Sequence, residues 1–292
     1  MIPVATCLVC GGTGLAKVRA ELAPFLQQRC RIAPVPPLER AWCGACDFLF
    51  YDHRLDEAEV LRLYRSYRDP DYIRERLAFE PDYAMRHQDF LDHEDEIHRS
   101  RIQALRADLA PHVDPDAPLR VLDYGGEADL WLGRGALPRA EVAGFDLREA
   151  AVQPSEGAFD LVLCAHVLEH VSFPGPFLAG LAGYARPGGL LYLEVPAEAH
   201  AGPGEAVLGA QRNTMHEHVS LFSLKALDRL VRGAGLEVLM LDFRNGLAMM
   251  IAGKPLIGPW GDRALTPFAL SERMRPIPKP PLHGRVEPGH GV

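Results

Sequence analysis

Four cysteines in two Cys-x-x-Cys pairs, Cys7 with Cys10 and Cys43 with Cys46, fix what the front of this chain can become. Thiolates two residues apart can grip one ion from a tight turn. Two such turns complete a closed tetrahedral four-thiolate site, the usual arrangement for structural zinc. Gly11 and Gly12 follow the first pair and Gly44 lies inside the second, where tight turns favour small residues. A site with no open coordination position holds a fold together and does no chemistry. The spacer between Cys10 and Cys43 is longer than the commonest one, and the competing reading is two redox or incidental pairs.

Cys30 and Cys164 complete the inventory, and Cys164 lies in an apolar run that reads as a buried strand. Six cysteines in 292 residues is no disulfide scaffold. Residues 1–6 lack a basic region followed by a long apolar core. No apolar stretch approaches the length of a membrane span. These observations predict a cytoplasmic protein. A hydrophobic fraction of 48% can bury one full α/β core plus a small module. The formal net charge of −8 argues against non-specific binding to nucleic acid, which depends on Lys and Arg. The expected partner is a small molecule, with neither nucleic acid nor membrane; the oligomeric state is left open.

Residues 1–52 read as the metal ribbon. Residues 53–117 are charged, carry Tyr64, Tyr67, Tyr72 and Tyr83, and place apolar residues at near-helical spacing, so they read as a helical linker or lid. From residue 118 to 255, short apolar runs alternate with helical stretches. Strands are expected at 120–124, 141–146, 159–165, 189–195, 236–243 and 247–252, and helices at 176–185 and 224–233, the latter capped by Ser223. Alternation of this kind argues for a parallel sheet with helices on both faces. Arg244-Asn245-Gly246 is a hairpin signal, so the last strand should run antiparallel to its neighbour. Residues 256–292 hold many Pro and Gly residues and read as a tail.

The chemistry is expected at strand ends. Val121-Leu122-Asp123-Tyr124-Gly125-Gly126 is an apolar strand ending in an acid and glycines, and in open parallel sheets ligands bind outside the carboxyl ends of strands. Gly144-Phe145-Asp146 ends the next strand with a second acid, placed to accept hydrogen bonds from ribose hydroxyls. His166 and His170 would share a helix face, a geometry that can bind metal, but no third ligand is evident. His216-Glu217-His218 lies after the fifth strand. An imidazole beside a carboxylate there can act as a general base, or the three can simply order a turn. Tyr64, Tyr67, Tyr72, Arg74 and Arg76 are candidates for a substrate lid, or for a solvated helix face.

The segments Phe159-Asp160-Leu161-Val162-Leu163-Cys164-Ala165-His166-Val167-Leu168-Glu169-His170 and Arg186-Pro187-Gly188-Gly189, in order after the acid-glycine turn, resemble the class I S-adenosylmethionine-dependent methyltransferases over about residues 119–253. The four-cysteine module and the His216–Ser223 segment resemble, more narrowly, the zinc-containing sugar methyltransferases of deoxysugar and surface-polysaccharide biosynthesis. The resemblance implies an α/β fold: a Rossmann-like class I methyltransferase sheet with an antiparallel last strand, preceded by a small zinc ribbon and a helical linker. It implies S-adenosylmethionine as cofactor, held by Asp123, Gly125, Gly126, Asp146 and His166, and zinc on Cys7, Cys10, Cys43 and Cys46. It implies proton removal by His218 with Glu217 as orienter or second base, and a sugar or nucleotide-sugar as acceptor.

Several features depart from the pattern. Met215 stands where those enzymes commonly carry a tyrosine, and their closing C-terminal domain has no counterpart here. Glu127 and Asp129 replace two glycines of the turn, and the segment from Asp146 to Phe159 is short for a helix and third strand. The departures turn expectation from carbon toward oxygen methylation. They also keep open an RNA methyltransferase with a zinc module, or a non-catalytic protein with a decayed cofactor turn.

Overall fold

A computed structural model describes residues 1–126, 130–145, 154–196 and 213–255. Glu127, Asp129, Asp146 and the tail at 256–292 lie outside these residues.

The front of the chain is β1 (Ile2–Pro3), β2 (Leu15–Leu22), α1 (Pro24–Cys30), β3 (Leu38–Cys43), β4 (Leu49–Tyr51) and β5 (His53–Arg54). Antiparallel β2, β3 and β4 form the centre of a small sheet. The turn from β3 to β4 is the second cysteine knuckle. There the Cys43 N–H donates to the Phe48 carbonyl at 2.9 Å and the Asp47 N–H to the Cys43 carbonyl at 2.8 Å. Three helices follow: α2 (Glu57–Tyr64), α3 (Pro70–Leu77) and α4 (Tyr83–Leu109). A reciprocal capping box starts α2, with Asp56 and Glu59 each accepting the other's backbone N–H at 2.8 Å.

The large sheet contains β6 (Arg120–Tyr124), β7 (Glu141–Phe145), β8 (Phe159–Ala165), β9 (Ala185–Pro196), β12 (Glu237–Arg244) and β13 (Leu247–Gly253). Its order is β12-β13-β9-β8-β6-β7. Strands β7, β6, β8 and β9 are parallel, and β13 is antiparallel to both β9 and β12. The hairpin at Asn245 and Gly246 has φ of 52° and 80°, as a tight turn joining right-twisted strands requires. Helices α4 and α5 (Trp131–Ala136) cover one face through Leu105, Leu109, Leu132 and Ala136. Helices α6 (Pro174–Tyr184) and α7 (Leu224–Gly233) cover the other through Leu178, Leu181, Leu227 and Val231. Ser223 caps α7 by accepting the Ala226 N–H at 3.1 Å.

One arrangement lies beyond the sequence pattern. Two short strands flank His216-Glu217-His218 and belong to the front sheet. Strand β10 (Thr214–Met215) runs parallel to β2, and β11 (Ser220–Leu221) antiparallel to β4, giving the order β10-β2-β3-β4-β11. Met215 is fully buried there, a packing residue in a position where a tyrosine hydroxyl would need a partner. The second cysteine knuckle also buries Phe48 in the core that holds Phe222 and α7. The front sheet and the large sheet are thus joined by a shared core, and by β10 and β11, which follow β9 in the chain but pair in the front sheet.

Candidate active site and metal centre

Strand β6 ends in a turn built for close approach. Gly125 has φ +76°, and a Cβ there would stand 2.5 Å from the Val167 side chain. A Cβ on Gly126 would stand 2.7 Å from the Asp123 carboxylate. Asp123 is buried under the turn, and the space above Gly125 and Gly126 opens into a cavity of about 1580 Å³. Backbone this bare at the carboxyl end of a sheet strand is what a nucleoside-bearing cofactor needs. The residues present therefore fit S-adenosylmethionine.

The next strand end supplies charge. His166 has φ +56°, a strained conformation for a non-glycine residue, and its ring sits between two buried carboxylates. Nε2 lies 3.1 Å from Glu194 and Nδ1 3.4 Å from Glu169. Burial alone would lower the His166 pKa, but the two carboxylates raise it to about 9, so the ring is an imidazolium at neutral pH. Glu194 is also bound by Arg101 of α4 at 2.7 Å and by the Tyr192 hydroxyl at 2.8 Å. Arg101 in turn lies over the ring of Trp131, with its guanidinium carbon 4.9 Å from the ring centre. Helix α4 is tied by these contacts across the carboxyl end of the sheet.

The loop between β10 and β11 faces the same cavity. The Glu217 carboxylate accepts from the Tyr72 hydroxyl at 2.5 Å and from Arg76 at 3.1 Å. Burial opposes its charge, but Arg76 and its other donors hold the carboxyl below its ordinary pKa range. Glu217 is therefore a fixed anion clamped to α3, an orienter of the loop whose charge is already used. His216 accepts the Glu217 N–H at 2.8 Å, and its other nitrogen lies 2.7 Å from Glu80. Both residues preceding His218 are thus engaged with the helical region. His218 sits against His170, ring centres 4.8 Å apart. The His170 Nδ1 lies 2.9 Å from the Tyr64 hydroxyl and 3.0 Å from the Glu217 carbonyl.

Of the residues singled out in sequence, the structure brings Asp123, Gly125, Gly126, His166, Glu217 and His218 to one cavity, together with Tyr64, Tyr67 and Arg76. Arg74 goes elsewhere: it is exposed and pairs with Asp71 at 2.8 Å. Sequence reasoning missed Arg54, Arg101, Glu169 as more than part of a motif, and Glu194. The signal for Glu194 was an acid at the end of an otherwise apolar strand.

The four cysteines converge. Sγ of Cys7 lies 3.5 Å from that of Cys46, and Sγ of Cys10 lies 3.5 Å from that of Cys43. All four sulfurs fall within 4.8 Å of one another. A tetrahedron with Zn–S bonds of about 2.3 Å has edges of about 3.8 Å, so the set fits zinc. Cys7, Cys43 and Cys46 are buried, which suits a structural ion. Protein purified without added metal should carry about one zinc per chain. Cys43→Ser should lose it together with the ribbon's fold, because binding and folding of such modules are coupled. Metal analysis with a thiol count checks this; a folded, metal-free ribbon with four reactive thiols would contradict it.

Comparison with known proteins places the chain in a family. Residues 91–241 match a family described as a methyltransferase domain. The ubiquinone biosynthesis O-methyltransferase of Aromatoleum aromaticum is 30% identical over 168 residues, covering 47% of this chain and 71% of that protein. The protein of the same name from Xanthomonas euvesicatoria is 30% identical over 168 residues, covering 56% of this chain and 60% of that protein. A solved structure, the 1,6-didemethyltoxoflavin N1-methyltransferase of Burkholderia thailandensis with S-adenosylhomocysteine, aligns with a TM-score of 0.47 and 20% identity over 74% of this chain and 96% of that one. The chain belongs to the S-adenosylmethionine-dependent methyltransferases of class I fold. The relatives named here are ubiquinone enzymes, so the narrower likeness to sugar methyltransferases is left to the site's chemistry. Among the described residues, no helix is long and apolar enough to cross a membrane.

Proposed function

We propose that the protein transfers the methyl group of S-adenosylmethionine to an oxygen of a small polar acceptor, a sugar or nucleotide-linked sugar. The observation that carries this reading is a single cavity lined both by the glycine turn and by the His218 loop. When bound, the cofactor supplies an activated methyl group on a positively charged sulfur. Asp123, Gly125 and Gly126 would hold it at the end of β6, with Asp146 as ribose ligand. His218 meets the acceptor hydroxyl and promotes loss of its proton, while Glu217, Tyr72 and Arg76 keep the loop in place. Tyr64, Tyr67 and Arg68 offer hydroxyl and guanidinium groups that suit an acceptor rich in oxygen or phosphate. Holding acceptor and donor in line supplies much of the rate. In this reading residues 1–52 are a zinc ribbon, 53–117 a helical lid and 118–255 the methyltransferase domain.

The relatives' names favour oxygen as the methylated atom. They also support a second reading, an acceptor of ubiquinone biosynthesis, for which Phe90, Phe173 and Phe177 in the cavity wall provide apolar surface. Methyl-labelled cofactor offered with nucleotide-linked deoxysugars and, separately, with demethylated ubiquinone precursors distinguishes the two. Label in the sugar set supports the first reading, and label confined to the quinone set rejects it.

A further inference from the structure

The loop that carries His218 is strung between two edges of a sheet to which the glycine turn does not belong. Strand β10 lies beyond β2 at one edge and β11 beyond β4 at the other. In a flat sheet these edges would stand four strand spacings apart, about 19 Å. The five residue steps from Met215 to Ser220 extend at most about 18 Å. The front sheet must therefore curl for the loop to cross it. We propose that Tyr51 and Ser220 are positioning residues for methyl transfer: with the front sheet they grip both ends of the loop and hold His218 at the cavity. The inference deepens the methyl-transfer reading and rests on it for the role of His218.

Each end of the loop is fixed by specific contacts. At the β10 end the Met215 carbonyl accepts the Ala23 N–H at 3.0 Å, and the Asn213 carbonyl accepts the Glu21 N–H at 2.7 Å. Strands β4 and β10 are three spacings apart in the sheet order, about 14 Å if it were flat. The Tyr51 hydroxyl of β4 nevertheless donates to the Thr214 carbonyl of β10 at 2.9 Å, so this side chain closes the curl. At the β11 end, Ser220 and Leu221 pair with Phe50 and Leu49 of β4. The fully buried Ser220 hydroxyl accepts from Arg54 at 2.5 Å and donates to the Val171 carbonyl at 3.1 Å, beside the turn that holds His170. The Val219 N–H donates to the Glu169 carbonyl at 3.0 Å. Between these anchors His218 has little room to shift unless a strand lets go.

The donor end of the cavity is built apart from this frame. Asp123, Gly125 and Gly126 lie at the end of β6 in the large sheet, where the Gly125 N–H donates to the Phe145 carbonyl at 2.7 Å. The front sheet grows instead from the second cysteine knuckle, since β3 ends in Cys43 and β4 begins soon after Cys46. One sheet thus serves the methyl donor and the other the residue that meets the acceptor. Transfer needs the two in register, and a misplacement of about 1 Å can cost about a hundredfold in rate. Loosening the frame should therefore lower turnover and spare donor binding.

The test follows the His218 ring by nuclear magnetic resonance in full-length, zinc-loaded protein carrying isotope-labelled histidine, the signal being assigned by its loss in His218→Ala. Tyr51→Phe removes one gripping hydroxyl and Ser220→Ala the other. In each variant the His218 signal should shift or broaden, while those of His93 on α4 and His112 just after it stay unchanged. Calorimetric affinity for S-adenosylmethionine should stay within about twofold of the wild type. With whichever acceptor set takes up label, kcat should fall at least about tenfold and KM for S-adenosylmethionine should hold. A merely structural role would lower the unfolding midpoint and leave the His218 signal of the folded protein in place. If Ser220→Ala fails to fold, Tyr51→Phe decides, because phenylalanine keeps the buried ring. An unmoved His218 signal in Tyr51→Phe, a moved signal with kcat unchanged, or donor affinity lost in step with the signal overturns the proposal. An unmoved signal is seen without any acceptor, so it leaves the methyl-transfer reading standing. A moved signal with label in neither acceptor set rejects that reading and leaves the grip on the loop in place.

Discussion

Arg54→Met should lower the stability of the whole protein by about 3–5 kcal/mol, the range for stranding buried charge-assisted hydrogen bonds. The Arg54 side chain is fully buried at the end of β5. It donates to the carbonyls of Ser172 at 2.8 Å and Val171 at 2.9 Å, to the Ser220 hydroxyl at 2.5 Å, and to the Val219 carbonyl. These acceptors belong to the segment after Leu168-Glu169-His170, to Val219 and to the start of β11. One guanidinium at the end of β5 therefore fastens the front of the chain to both of these segments. Methionine fills much of its volume and satisfies none of the acceptors, and each buried carbonyl left bare costs about 1–3 kcal/mol. Arg54→Lys should recover only part of the loss, since an ammonium cannot reproduce the planar fork. Denaturant unfolding of the zinc-loaded variants measures the effect. A loss below about 1 kcal/mol in Arg54→Met would mean that the two units hold together without it.

His218→Ala should reduce turnover by about a hundredfold or more, roughly 2.7 kcal/mol of barrier, while cofactor affinity stays within about twofold. The residue sits beside His170 in the cavity that the glycine turn also lines. Its loss removes assistance to the acceptor's proton. Glu217→Gln should act differently. Its carboxylate balances Arg76 at 3.1 Å, so the amide should loosen the loop and lower stability before it touches chemistry. Steady-state kinetics with the true acceptor, together with cofactor titration, separates the two effects. Full turnover by His218→Ala would move the proton-handling role elsewhere, first to Tyr64.

The large sheet was legible because its strands are continuous apolar runs and its hairpin is marked by Asn245 and Gly246. Helix α7 was legible to the residue because Ser223 caps it and its apolar spacing is strong. Strand β9 begins at Ala185, earlier than the apolar run predicts, because Arg186-Pro187-Gly188-Gly189 already lies in the sheet. The two-residue strands β10 and β11 carry no such pattern. They exist because β2 and β4 offer open edges, a fact set by tertiary structure.

The site divides in the same way. Asp123, Gly125 and Gly126 could be read because a strand end followed by glycines has a local signature. The pairing of His218 with His170, and of Glu217 with Arg76 and Tyr72, could not be. Their partners come from helices and turns far away in sequence, and ion pairs have no periodicity. Glu217 illustrates the consequence: beside His218 in sequence it reads as that residue's partner, but in the structure Arg76 and Tyr72 bind its carboxylate.

The central claim is that the space above Gly125 and Gly126 binds the methyl donor. Calorimetric titration of the zinc-loaded, full-length protein with S-adenosylmethionine tests it most directly. The account predicts about one equivalent bound, and loss of binding in Gly126→Val with the unfolding transition retained, because a side chain there would meet the Asp123 carboxylate at 2.7 Å and fill the turn. A folded wild-type protein that takes up no S-adenosylmethionine, or a Gly126→Val variant that binds it as tightly as the wild type, would contradict it.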